Sequence, residues 1–166
     1  IASHAIKILM NSLYGVFGTP ACRFFDADIA NAITGFGREI LLFAKKRFEQ
    51  AGYRVLYGDT DSLFVLSGTD EEALAARLAN GLLQDLNAEI GRHIRQRWNV
   101  ESRLELELDA HYLRLFLPSI RKGEGGARKR YAGLVEKAGV RSVVFTGMEV
   151  VRRDSTELAK RVQREL

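Results

Sequence analysis

The stretch Tyr57-Gly58-Asp59-Thr60-Asp61-Ser62 places two carboxylates one residue apart between two apolar runs. Tyr53-Arg54-Val55-Leu56 precedes the stretch, and Leu63-Phe64-Val65-Leu66 follows it. Both runs have the length and composition that are typical of short buried strands bounded by turn signals. The pattern therefore predicts a β-hairpin that holds Asp59 and Asp61 at its tip. Such a pair can bind a divalent cation through oxygen ligands and place it against a phosphate.

The composition indicates a soluble globular protein of one domain. The chain has 166 residues, of which 46% are hydrophobic and 28% are charged, enough for a sizeable core. Its apolar runs fall short of a membrane span, and its start, Ile1-Ala2-Ser3-His4, lacks the apolar segment of a signal peptide. Cys22 is the only cysteine, which excludes an internal disulfide and fits a reducing compartment.

The charge distribution allows a polyanionic partner. The formal net charge is +4, a mild signal by itself. Residues 121–130 contain five basic side chains against one acid, Glu124. Two interpretations of this run stay open, a solvated surface loop and a basic patch that contacts nucleic acid.

Apolar periodicity predicts an α+β domain with an antiparallel sheet. Helices are expected over residues 4–14, 27–50 and 70–98 and from Ser155 onward. Strands are expected over residues 104–108 and 112–120, and as a hairpin over 130–136 and 140–146 turned near Ala138-Gly139. Residues 123–126 are expected to form a flexible turn.

Helix boundaries follow from capping and breaking residues. Gly15 and Gly18 are expected to interrupt the first helix. Either Asp26 or Asp28 can cap the start of the second helix, and Gly52 can end it.

The first predicted helix presents a cation, an amide and an aromatic ring on one side. Lys7, Asn11 and Tyr14 are spaced i, i+4 and i+7, so they share one helical face. This combination suits a triphosphate together with the attached base or sugar. A helix that exposes one polar stripe to solvent is the alternative interpretation.

Four stretches of the chain resemble the family B DNA polymerases, and they occur in the same order as in that family. The hairpin matches the family's motif C, Tyr-x-Asp-Thr-Asp-Ser, and the first helix matches its motif B, Lys-x-x-x-Asn-Ser-x-Tyr-Gly. Arg128-Lys129-Arg130-Tyr131 is similar to the family's Lys-Lys-Arg-Tyr. The stretch from Gly147 to Asp154 is similar to the segment leading into the family's thumb. The sequence segments Gly15–Asp26 and Arg130–Leu134 look closest to the bacterial DNA polymerase II branch of the family.

The resemblance implies a role for each matching residue. Asp61 is implied as the ligand shared by two catalytic Mg²⁺ ions, and Asp59 as a neighbour that tunes the charge of the metal site. Lys7 is implied to reach the incoming dNTP with support from Asn11. Tyr14 is implied to pack against the nascent base pair.

Further roles concern DNA. The resemblance places Tyr57 and Thr60 near the primer terminus. It makes Lys129 a contact to the primer-template duplex, with Arg130 and Tyr131 beside it. Glu107, on the predicted strand over residues 104–108, is either a further carboxylate near the metals or a solvent-facing residue.

The resemblance also implies an architecture and a set of partners. Residues 1–18 would form the end of a fingers helix, residues 19–150 a polymerase-type palm packed on long helices, and residues 151–166 the start of the thumb. Primer-template DNA, dNTPs, Mg²⁺ and, through other parts of a parent protein, a sliding clamp are the implied partners. The implied location is the bacterial cytoplasm, associated with the nucleoid.

Several sequence features keep other functions open. No stretch resembles the family's motif A, which supplies the other essential aspartate, so the chain is interpreted as a piece of a longer polymerase. A catalytically inactive DNA-binding module is the first alternative. The second is a metal-dependent glycosyltransferase that uses Asp59 and Asp61, but it leaves the matches around Lys7 and Lys129 unexplained.

Overall fold

The computed structural model describes the backbone of residues 2–118, 129–137 and 139–165, and the side chains of these residues except at positions 2–4, 7, 10 and 11. The chain divides into two compact units, Ile1–Leu66 and Ser67–Leu166. The predicted flexible turn over residues 123–126, most of the basic run and the end of the predicted strand over 112–120 lie outside the described residues.

The first unit contains two helices followed by a β-hairpin. The helices are α1 (Ala2–Gly18) and α2 (Ala27–Gln50), and the strands are β1 (Val55–Asp59) and β2 (Ser62–Val65). Both strands contact α2, and Ala44 of α2 is buried in this unit. The helix therefore supports the hairpin that carries the two carboxylates.

Helix α1 is longer than the glycine positions predict. It continues through Gly15 and ends at Gly18, so the expected interruption at Gly15 is wrong. A glycine inside a helix costs only about 1 kcal/mol relative to alanine, which the surrounding helical hydrogen bonds can offset. In the last turn of α1, the Phe17 carbonyl accepts a hydrogen bond from the Asp26 amide at 3.0 Å, which joins α1 to the start of α2.

Both ends of α2 follow the predicted boundaries. Asp26, rather than Asp28, is the N-cap residue, because its Oδ1 atom accepts hydrogen bonds from the Asp28 and Ile29 amides, each at 3.0 Å. At the other end Gly52 has φ +86, and the amides of Gly52 and Tyr53 donate back to the last helical turn. This left-handed glycine termination stops the helix just before β1.

The second unit combines two helices with a three-stranded sheet. Its elements are α3 (Glu72–Trp98), β3 (Arg114–Phe116), β4 (Tyr131–Lys137), β5 (Val140–Thr146), a 3-10 helix (Glu149–Val151) and α4 (Glu157–Glu165). The sheet has the order β3-β4-β5 and all its pairs are antiparallel. The predicted hairpin is confirmed, with Gly139 at φ +77 in its turn.

The strand predicted over residues 104–108 is wrong. This segment has no regular secondary structure and pairs with no strand in the described parts of the chain. Instead, the Leu106 amide donates to Asn87 Oδ1 at 2.8 Å, and the Leu106 carbonyl accepts from Asn87 Nδ2 at 3.0 Å. One side-chain amide of α3 thus satisfies the backbone groups that a neighbouring strand would otherwise satisfy. Glu107, expected on that strand, lies in this irregular segment and is exposed.

The architecture confirms an α+β fold with antiparallel sheets. The long helices α2 and α3 lie close to their predicted ranges, although α3 begins at Glu72 rather than at residue 70. Among the described residues, no helix is long and apolar enough to span a membrane.

Candidate metal and nucleic-acid site

The hairpin tip fixes the spacing of the two carboxylates. Asp59 is the last residue of β1 and pairs with Ser62, so Thr60 and Asp61 form a two-residue turn. The Asp61 amide donates to the Asp59 carbonyl at 2.6 Å. Thr60 has φ +51, which is unusual for a β-branched residue and stores backbone strain at the tip.

Each carboxylate receives a hydroxyl hydrogen bond from its neighbour. Thr60 Oγ1 donates to Asp59 Oδ1 at 3.3 Å, and Ser62 Oγ donates to Asp61 Oδ1 at 3.0 Å. Asp59 is half-buried, whereas Asp61 is exposed. A carboxylate offers about four lone-pair sites, so the bond from Ser62 leaves Asp61 with capacity to bind a cation.

The donor set of the hairpin fits part of a magnesium site. Mg²⁺ commonly takes one or two carboxylates and completes its shell with waters and substrate phosphates. Asp59 and Asp61 supply such hard oxygen donors from the tip of one hairpin. Within the described ranges, no group of three or more His, Cys, Asp or Glu side chains is arranged to hold a metal ion.

Aromatic packing stiffens the hairpin behind the turn. The rings of Tyr57 and Phe64, which are cross-strand partners, lie 5.6 Å apart at an angle of 50°. A Cβ at Gly58 would lie 2.9 Å from Leu63 Cδ2, so the glycine permits close approach of the two strands. Tyr57 therefore supports the hairpin from β1, and Thr60 lies in the turn between the two carboxylates.

The three predicted dNTP-binding positions lie on one continuous helix. Positions 7, 11 and 14 all fall within α1. Tyr14 is 47% exposed, whereas the side chains of Lys7 and Asn11 lie outside the described part of the chain. The roles of all three remain predictions.

The predicted DNA-binding residues Lys129, Arg130 and Tyr131 lie in the second unit, at the start of β4. Lys129 is exposed and has φ +58. Its carbonyl oxygen occupies the volume that a Cβ at Gly147 would need, and Gly147 itself has φ +62. Two left-handed residues thus let the segments before β4 and after β5 approach closely.

Arg130 is held by a carboxylate that also binds α4. Arg130 Nη1 lies 3.4 Å from Glu149 Oε1, and Gln163 Nε2 donates to Glu149 Oε2 at 2.7 Å. Gln163 Oε1 in turn accepts from the Val150 amide at 2.8 Å. The hydrogen bond from Gln163 is the main cause that lowers the pKa of the Glu149 carboxyl, and the positive charge of Arg130 acts in the same direction.

Tyr131 packs against a second tyrosine. The rings of Tyr112 and Tyr131 meet edge to face with centroids 6.3 Å apart, a favourable arrangement for aromatic pairs. The Tyr112 ring also covers Gly133, leaving no room for a Cβ there. Burial, followed by the charge and hydrogen bond of Tyr131, raises the pKa of Tyr112 to about 12.

Sequence reasoning missed two of these supporting residues. The sequence places Tyr112 only in an extended stretch and Gln163 only in an amphipathic helix. Neither belongs to a recognisable motif, and each finds its partner through tertiary packing. Periodicity can assign their secondary structure but not these contacts.

Comparison with known proteins identifies the class to which this fold and site belong. The family model described as DNA polymerase family B matches residues 1–166. The chain therefore belongs to DNA polymerase family B.

Individual relatives extend this finding. The chain is 46% identical to DNA polymerase II of Escherichia coli (strain K12) over 165 residues, which cover 99% of the chain and 21% of that relative. It is 34% identical over 166 residues to a DNA polymerase of Archaeoglobus fulgidus, covering 100% of the chain and 18% of the relative. A DNA polymerase of Pyrococcus glycovorans is 34% identical over 161 residues, 96% of the chain and 18% of that protein. The chain spans about a fifth of the length of these curated relatives.

Proposed function

We propose that this chain is the palm segment of a DNA-directed DNA polymerase, flanked by the end of a fingers helix and the start of the thumb. The proposed boundaries are residues 1–18, 19–150 and 151–166. The observation that carries the proposal is the Asp59-Thr60-Asp61 turn on a supported hairpin in a chain that belongs throughout to DNA polymerase family B. The parent protein would transfer dNMP from a dNTP to a primer 3′-hydroxyl.

Asp61 is the proposed metal ligand of the hairpin. It is exposed at the turn and keeps acceptor capacity beyond the bond from Ser62. Asp59 is half-buried beside it, a position suited to adding negative charge and, in some states, a second ligand. Two Mg²⁺ ions would activate the primer hydroxyl and neutralise the leaving pyrophosphate.

The hairpin contributes positioning as well as charge. Because the turn is closed by the Asp61–Asp59 backbone bond and backed by the Tyr57–Phe64 pair, the carboxylates need little reorganisation when phosphate arrives. Preorganised charge of this kind stabilises a transition state more effectively than mobile groups. Tyr57 and Thr60 are proposed to lie near the primer terminus on the same hairpin.

Helix α1 is proposed to bind the incoming nucleotide. Lys7 would offset the charge of the triphosphate, and Asn11 would support that contact. Tyr14, which is 47% exposed, would pack against the nascent base pair. The motif B match to the family supports these three assignments.

The start of β4 is proposed to bind the primer-template duplex. Lys129 would neutralise backbone phosphate, with Arg130 and Tyr131 beside it. Such contacts are independent of DNA sequence, as copying any template requires, and they weaken as the salt concentration rises. A sliding clamp, bound through other parts of the parent protein, and association with the bacterial nucleoid complete the proposal.

Primer extension by the full-length protein tests this function. The protein should add dNMP to a primer in the presence of Mg²⁺, and a chelator should stop the addition. Asp61→Ala should remove most of the activity while leaving binding of primer-template DNA largely unchanged. Turnover of a sugar nucleotide without dNTP binding would contradict the proposal and favour a glycosyltransferase.

A further inference from the structure

Three segments of the second unit meet at the side chain of Glu149. Its two carboxylate oxygens accept from different partners, Oε1 from Arg130 just before β4 and Oε2 from Gln163 on α4. Gln163 uses its other polar atom to accept from the Val150 amide. We call this set of Arg130, Glu149, Val150 and Gln163 the β4–α4 joint.

The joint lies directly beside the residue proposed to bind the duplex. Arg130 follows Lys129, whose carbonyl is fitted closely against Gly147. Lys129 itself has the left-handed φ of +58, which a non-glycine residue keeps only when its surroundings hold it. The close approach of the Lys129 carbonyl to Gly147 and the ion pair between Arg130 and Glu149 restrain the backbone here. Gly147 and Glu149 both lie in the short segment after β5.

We propose that Glu149 and Gln163 are positioning residues for DNA binding, which hold Lys129 and Arg130 in their bound geometry and tie that geometry to α4. The inference rests on the proposed function, since it needs Lys129 to contact the duplex. A positioning residue of this kind reduces the reorganisation that binding would otherwise require. Its loss should weaken DNA binding without changing the chemical step.

Two substitutions that each remove one negative charge can distinguish a positioning role from a purely electrostatic effect on DNA binding. Glu149→Gln removes one negative charge and keeps the side-chain size. Asp154→Asn does the same five residues later, where Asp154 is bound by Arg152 in an exposed ion pair. If charge alone mattered, both variants should bind polyanionic DNA more tightly. The positioning role instead predicts weaker DNA binding by Glu149→Gln, with unchanged or tighter binding by Asp154→Asn.

The test measures binding of the full-length protein to a primer-template duplex over a range of salt concentrations. Glu149→Gln and Gln163→Leu should each raise Kd by roughly threefold to tenfold, as expected for the loss of a partly exposed hydrogen-bonded contact. Both should leave the rate of nucleotide addition at saturating DNA within about twofold of the unmodified protein's rate, because saturation restores the bound geometry. Asp154→Asn should leave Kd unchanged or lower it.

The possible results separate the inference from the function on which it rests. Melting curves of both joint variants should match the unmodified protein's curve at low salt, so that weaker binding is not a consequence of unfolding. If the unmodified protein extends primers and Lys129→Ala weakens binding while both joint variants bind normally, the inference is overturned and the function stands. Tighter binding by Glu149→Gln, in parallel with Asp154→Asn, also overturns it. Failure of the unmodified protein to bind primer-template DNA would overturn the function itself.

Discussion

The carbonyl oxygen of Lys129 occupies the space in which a Cβ of residue 147 would lie, so only glycine fits at Gly147. Because Gly147 also has φ +62, any other residue there would meet both a backbone clash and a strained conformation. The backbone at the proposed DNA-binding residue thus depends on a glycine in a distant segment of the chain, just after β5.

Gly147→Ala should lower the free energy of unfolding by about 2–3 kcal/mol, because backbone atoms cannot move aside as a flexible side chain can. Chemical denaturation of the chain measures this change. Gly81→Ala is the matched control, since Gly81 lies in α3 with open space where an alanine Cβ would stand. This control should be neutral or stabilising by up to about 1 kcal/mol. Equal effects of both substitutions would contradict the close approach at Gly147.

Thr60→Gly should raise the free energy of unfolding by about 1 kcal/mol, because glycine adopts the positive φ of the turn without strain. Thr60→Ala keeps the strained backbone and removes only the hydroxyl bond to Asp59, so it should give no such gain. Thermal and chemical denaturation of the two variants provide the comparison. A larger gain with alanine than with glycine would show that the turn is not strained at this residue.

Asn87→Leu should destabilise the chain by about 1–3 kcal/mol, because it leaves the amide and carbonyl of Leu106 without their partner in a half-buried setting. The same substitution at Asn80, which is exposed on the same helix, should change stability by less than about 0.5 kcal/mol. Hydrogen exchange at the Leu106 amide offers a second readout. Unchanged protection of that amide in Asn87→Leu would contradict the described contact.

Tyr112 should ionise late as pH rises, since its folded-state pKa is about 12 against an ordinary value of 10.0. A raised folded-state pKa favours the neutral phenol in the fold. The associated stabilisation is therefore fully present below about pH 10 and is lost as the pH rises through about 12. Ultraviolet absorbance of the phenolate measures this titration, and Tyr112→Phe should remove its late component. Persistence of the late component in that variant would assign it to another tyrosine.

Local patterns predict the elements whose determinants are local. The range of helix α2 follows from its apolar spacing, from Asp26 and from Gly52, because capping groups lie within a few residues of the ends they stabilise. The hairpin that carries Asp59 and Asp61 likewise follows from two apolar runs around a short turn.

Predictions that depend on distant partners are less successful. The alternating residues 104–108 have the period of a strand, but Asn87 on α3 satisfies the Leu106 backbone instead. Gly15 lies inside α1 because the hydrogen bonds of a continuous helix outweigh the weak preference of one glycine. In the candidate site, Asp59 and Asp61 can be identified from their motif, whereas the bond from Gln163 to Glu149 joins residues 14 positions apart and follows only from the fold.

The single-turnover rate of nucleotide addition by the full-length protein, measured across Mg²⁺ concentrations, tests the central claim most directly. Asp61→Ala should lower this rate on the order of a thousandfold, because it removes a ligand of the proposed metal site. Asp59→Ala should cause a smaller loss that higher Mg²⁺ partly restores. Asp154→Asn, remote in sequence from the hairpin, should leave the rate unchanged. A normal rate for Asp61→Ala would contradict the claim that this hairpin holds the catalytic metal of a DNA polymerase.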